Sequence, residues 1–170
     1  MDNFTNTALN IEELPKLEEL NYNVLNPKYL AVSMIYRLII FLPIIGFSVI
    51  NYFEPIPYFY WILIGVLVVV ILIFVLGYFS FFKKAYALRE KDLSYKSGLI
   101  FHKITTVPLN RIQHTEVVHG PIARMFGLAF VKIYTAGGST SDMVIPGIAN
   151  EKAEQIREFI NDKMKQEDGE

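Results

Sequence analysis

Two uninterrupted apolar runs constrain this chain more than anything else in it. Tyr29 to Phe53 reads YLAVSMIYRLIIFLPIIGFSVINYF, with Arg37 its only charge, and Tyr58 to Phe82 reads YFYWILIGVLVVVILIFVLGYFSFF, with none. Each run has 25 residues. As a helix at about 1.5 Å per residue that is about 37 Å, against the roughly 20 residues that a bilayer core requires. The second run has no polar face at helical spacing and is apolar all round. A chain of 170 residues leaves too little protein to wrap two such helices, which argues against buried helices in a soluble core. A cleaved signal peptide fits poorly too, because a long acid-rich head precedes the first run and no small-residue cleavage site follows it.

The link NYFEPIP, Asn51 to Pro57, is short and holds two prolines. The runs are therefore expected to form a transmembrane hairpin, within 29–82, with helices over about 30–53 and 58–82. The link carries Glu54 and no Lys or Arg, whereas Lys28 precedes the first run and Lys83, Lys84, Arg89 and Lys91 follow the second. The positive-inside rule then puts both termini and everything after the hairpin in the cytoplasm. Trp61, with Tyr58 and Tyr60, is expected to anchor the outer interface, and Lys83 and Lys84 the inner one. Arg37 lies about two turns inside the first run. An intramembrane charge can mark a functional site; the favoured reading is an anchor whose head snorkels to the inner headgroups. Pro43 and Gly46 are expected to kink that helix. Residues 1–28 read as a polar tail, in which IEELPKLEEL is either a short amphipathic helix broken by Pro15 or mobile chain.

From Lys83 on the pattern changes, and residues 83–170 read as one soluble module. AYALRE, LSYKSGLIFHKITTV, RIQHTEVV, LAFVKIYTA and SDMVIPG suit short strands separated by turn signals. In LAFVKIYTA, Ala129, Val131 and Ile133 point to one side and Phe130, Lys132 and Tyr134 to the other, as a half-buried strand requires. Ser97–Gly98 reads as a turn, and Gly137–Gly138 with Ser139 as a hairpin turn. Ala153, Ile156, Phe159, Ile160 and Met164 then follow helical spacing, with Asn150 as a candidate N-cap. Several antiparallel strands and one amphipathic helix give an α+β fold: a two-helix membrane hairpin followed by a bent antiparallel sheet or roll with a C-terminal capping helix.

No motif carries catalysis. With no cysteine in the chain, disulfides, thiol chemistry and Cys-based zinc sites are excluded. His114 and His119 would fall on opposite faces of one strand, so they do not share a metal. His114 and Glu116 share a face and could move protons, but a solvated polar face is favoured. No catalytic residue, metal site or cofactor is expected, and no nucleic acid, since the aromatics do not interleave with a basic stripe. Charge is uneven all the same. Lys83 to Lys132 holds nine Lys or Arg against three acids, and Asp142 to Glu170 four against eight. The basic half begins at the membrane exit, where anionic lipid would attract it; ordinary outward strand residues and positive-inside flanks account for it equally well. In GPIARMFG, Pro121 suits the first position of a helical turn. Ile122, Met125 and Phe126 then either cap the core or form a knob facing a membrane or a partner, beside Arg124.

Two apolar spans followed by RIQH (Arg111 to His114), GPIARMFGLA (Gly120 to Ala129), TAGG (Thr135 to Gly138) and IPG (Ile145 to Gly147) resemble the YdbS-like bacterial pleckstrin-homology (PH) membrane proteins. The resemblance runs from about Asn26 to Phe159. It implies a PH-like fold on the cytoplasmic side of a bacterial inner membrane, no known reaction, and often a larger membrane-bound partner with related modules. The loop near Arg89, Lys91 and Lys96 does not reproduce the dense basic motif with which eukaryotic PH domains bind phosphoinositides, so that ligand is not implied. The expected function is a membrane-anchored, non-enzymatic interaction module that binds a partner membrane protein or itself. A role in envelope maintenance or stress fits the location. Sensing anionic lipid headgroups is the alternative, and an uncharacterised membrane enzyme the third reading. The partner- or lipid-facing candidates are Arg111, His114, Arg124, Met125, Phe126 and Lys132.

Overall fold

The computed structural model describes residues 21–53, 57–136 and 141–167. Two helices come first, α1 (Lys28–Phe53) and α2 (Phe59–Phe81). Both are long and apolar enough to cross a membrane. Most of their large side chains, such as Ile40, Ile45, Val68 and Ile71, face outward, the pattern of helices whose solvent is lipid. They run antiparallel, with Phe41 against Phe74 and Phe47 against Phe59. Pro43 sits inside α1, and the helix continues through it. The link residues 54–56, the IEELPKLEEL stretch and the Gly137–Gly138–Ser139 turn lie outside the described residues.

The strands form two antiparallel sheets. The first has the order β1 (Asn23–Val24), β2 (Ala85–Leu88), β3 (Asp92–Ser97), β4 (Lys103–Pro108), and the second the order β5 (Ile112–Val118), β6 (Leu128–Thr135), β7 (Met143–Ala149). A 3-10 turn at Leu109–Arg111 carries the chain round the corner between them. Arg89 and Asp92 close the β2–β3 hairpin, Arg89 Nε donating to Asp92 Oδ1 at 2.6 Å. Strand β6 alternates as its sequence demands: Ala129, Val131 and Ile133 are fully buried, and Phe130, Lys132 and Tyr134 are not.

Helix α4 (Asn150–Glu167) closes the core, with Ala153, Ile156 and Ile160 buried against Leu93, Val107, Ile112, Val131 and Ile145 in a single cluster. The module is thus a PH-like α+β unit. Asn150 opens the helix. In the orientation that satisfies its amide, the side-chain nitrogen donates to the carbonyls of Gly127 and Leu128.

One boundary shifts. Residues 23–26, assigned from sequence to the polar tail, belong to the module. Asn23 and Val24 pair with Tyr86 and Ala85, and Leu25 is buried in the main core. A two-residue strand has no periodicity for sequence reading to find.

Candidate functional site

The site of interest is the junction where the module meets the hairpin. Its first component is the entry to α1. The Asn26 backbone N–H donates to the Gly147 carbonyl at 3.1 Å, and the Asn26 side chain accepts from the Lys28 N–H at 3.0 Å. Helix α1 then leaves the module with Tyr29, Val32 and Tyr36 on one face, an i, i+3, i+7 stripe. Val32 is completely buried, in a second small core with Ala123 and Leu128, which Tyr29, Tyr36, Ile122, Phe126 and Phe130 surround. Tyr29 meets Phe130 edge-on at 6.1 Å and Phe81 at 6.5 Å.

The glycine-rich segments explain how this contact forms. Gly120 caps α3 (Pro121–Met125), with Pro121 in its first turn as expected. This one-turn helix presents Ala123, completely buried beside Val32, to α1. On β7, Pro146 and Gly147 make a bulge: Ala129 and Val131 on β6 are opposed by Ile148 and Ile145. Gly147 takes φ 66°, a left-handed conformation that favours glycine. A Cβ there would also collide with the Tyr29 ring. GPIARMFGLA and IPG are therefore the pieces that seat helix α1 on the sheet.

Arg37 follows one residue after this stripe. Its guanidinium lies across the backbone of Gly77 in α2, where a Cβ would collide with it. Nη1 is buried and has no hydrogen-bond partner among the described residues. Beside it opens a recess of about 460 Å3, lined by Arg37, Ile73, Leu76, Gly77 and Ser80 from the hairpin and by Gly98 to Phe101 from the β3–β4 loop. At that loop's tip Ile100 is 69% and Phe101 86% exposed. Lys84 Nζ sits 5.7 Å from the centre of the Tyr29 ring. Burial, and secondarily the Arg37 charge, hold its pKa below the ordinary lysine value. The turns of α1 before Arg37 are covered on one face by the module.

The six surface candidates do not form one site. Arg124 and Met125 are exposed on α3 at the junction, Met125 to 84%, while Phe126 turns inward with Ile122 onto the second core. In GPIARMFG, Ile122 and Phe126 thus cap the second core, while Arg124 and Met125 stay exposed. His114 and Lys132 lie on the outer face of β5 and β6. Arg111, also exposed, is at the start of β5. Seven strand residues separate Arg111 from the α3 end, about 23 Å at about 3.3 Å per residue. Trp61 is exposed near the start of α2, at the end of the hairpin away from the module.

On the β5–β6 face, the His114 and Tyr134 rings stack at 4.2 Å, and the Tyr134 hydroxyl donates to Glu116 Oε2 at 2.9 Å. That hydrogen bond raises the Tyr134 pKa. His114 Nε2 lies 3.8 Å from Glu116 Oε1, and Lys132 is the cross-strand neighbour of Glu116. The network is open to water, with the His114 and Glu116 side chains both exposed. Among the described residues, no group of three or more His, Asp or Glu side chains is placed to hold a metal ion. Sequence reading missed Tyr29, Val32, Tyr36, Gly77 and Gly147. The tyrosine–valine stripe was the available signal for the first three.

Comparison with known proteins agrees with this architecture. Residues 29–164 match the family model described as Bacterial PH domain. The chain is similar to the UPF0699 transmembrane protein YdbS of Bacillus subtilis (strain 168), 28% identical over 148 residues that span 82% of this chain and 90% of that protein. No solved structure matches significantly.

Proposed function

The chain belongs to the bacterial PH domain family, as a YdbS-like membrane protein, and on that premise we propose that it is a non-enzymatic interaction module anchored in the inner membrane. Both termini and the PH-like domain face the cytoplasm, which the Lys and Arg flanking the hairpin support. The domain binds a second membrane protein, one that carries related modules, through strand addition.

The observation that carries this reading is the edge of β4. This strand ends the four-stranded sheet and pairs only with β3 among the described residues. Lys103 and Pro108 blunt its two ends, leaving Ile104 to Val107 uncharged between them. An open edge of this kind is a template for another chain. Because β4 starts at the β3–β4 loop beside α2, a membrane protein emerging next to the hairpin would reach it directly.

A headgroup sensor using Arg111 together with Arg124 is less well supported, since these residues lie at opposite ends of β5. The test is mild extraction of the full-length protein from native membranes, followed by measurement of the complex mass. A discrete complex containing a second membrane protein supports the proposal. A homo-oligomer moves the β4 edge to self-assembly, and a single chain in detergent, reproduced after chemical crosslinking in intact cells, overturns it.

A further inference from the structure

The Arg37 recess has no anionic occupant among the described residues. A guanidinium stays charged at every physiological pH, and a buried charge without a partner is destabilising. Here Nη1 is buried and, among the described residues, unpartnered, and none of the described residues lining the recess is Asp or Glu. Lys84 brings a second positive charge close by. The site thus lacks an anion with several acceptor oxygens, which the planar fork of arginine binds in bidentate fashion.

The walls specify what kind of anion. Ile73 and Leu76 of α2 face Leu99, Ile100 and Phe101 of the loop across the recess. These loop side chains point outward instead of into the module's core, at the level of the membrane helix. A free phosphate would gain nothing from such walls, whereas an amphiphile matches both parts.

We infer that the recess binds one phospholipid, its phosphodiester held by the Arg37 guanidinium and the Ser80 hydroxyl and an acyl chain lying along Ile73, Leu76, Ile100 and Phe101. The lipid fills the gap between the hairpin and the β3–β4 loop and fixes the module's height on the membrane. Gly77 is what makes the site, because only a residue without a side chain lets the guanidinium lie flat against α2. This inference goes beyond the partner-binding proposal and stands or falls separately from it.

The test uses the full chain in nanodiscs of phosphatidylcholine containing phosphatidylglycerol, then counts lipids retained after delipidation by native mass spectrometry. Wild type is expected to keep one phosphatidylglycerol. Arg37→Leu removes the charge, and Gly77→Ala pushes the guanidinium out of the recess while leaving the charge in the chain. Each is expected to lower retention at least fivefold, with Arg37→Lys between. Equal retention in all four proteins overturns the inference. So does displacement of the lipid by excess inorganic phosphate, which would identify a free-anion site. If the variants fail to fold, wild type alone decides: phosphatidylglycerol with a photoreactive headgroup must label peptides covering 73–84 and 97–103, and labelling confined to other regions refutes the site.

Discussion

The Tyr29 ring rests on Gly147, and this contact joins the membrane hairpin to the sheet. Gly147 adopts φ 66°, and a Cβ on it would collide with the ring. One residue thus meets two constraints, one of backbone and one of packing. The left-handed conformation costs a residue with a side chain roughly 1–2 kcal/mol, and forced overpacking typically adds about 1–3 kcal/mol.

Gly147→Ala is therefore expected to destabilise the full-length protein by about 2–5 kcal/mol, measured by thermal or denaturant unfolding. In a Tyr29→Gly background, which removes both the ring and the Cβ that the new methyl would meet, Gly147→Ala should cost only the conformational part. An equal cost of Gly147→Ala in the wild-type and Tyr29→Gly backgrounds would show that the Tyr29 contact is not the source of strain.

Core and surface should respond differently to truncation. Ile133 is completely buried between the sheets, so Ile133→Ala should cost about 2–5 kcal/mol. Met125 is 84% exposed, and Met125→Ser should fall within about 0.5 kcal/mol of wild type. Chemical denaturation of the two variants checks both values.

The module's outline was legible because its strands and last helix each carry one clear period. Alternation in β6 and the Ala153, Ile156, Ile160 stripe each select a single buried face. The junction was not legible for a physical reason: hydropathy does not distinguish a side chain buried in protein from one facing lipid. Tyr29, Val32 and Tyr36 lie inside an apolar run that a bilayer would accept whole. Gly77 is equally silent, since a small residue in a membrane helix has many uses, and only the position of Arg37 gives this one its meaning. Arg111 and Arg124 looked like neighbours in function because sequence distance hides the length of a strand.

Acid should weaken the far end of the β6–β7 hairpin. The Asp142 carboxylate accepts from the Thr135 backbone N–H at 2.8 Å and from its hydroxyl at 2.7 Å. Bonding from the hydroxyl first, and then from the backbone, holds its pKa below the usual 3.8. A depressed native pKa means that the stabilisation is complete above the unfolded value and is lost as pH falls through the native one. Unfolding temperature should drop as pH falls below about 4, and Asp142→Asn should shallow that slope. An unchanged slope would remove Asp142 from the acid response.

Topology is open to a clean chemical test, because the chain contains no cysteine. A single cysteine in place of Asp162 on α4 should resist a membrane-impermeant maleimide until cells are lysed. One in place of Tyr58, 77% exposed at the start of α2, should label in intact cells. The reverse pattern would place the PH-like domain outside the cytoplasm.

The central claim is that the β4 edge receives another chain, and site-directed photo-crosslinking in living cells tests it most directly. Probes at Ile104 and Thr106 on β4 are compared with a probe at Asp162 on α4. The account predicts discrete heavier bands from the β4 probes and none from α4, with mass spectrometry identifying a second membrane protein. Bands of equal strength from α4, or none from β4 while the protein is present and folded, would contradict it.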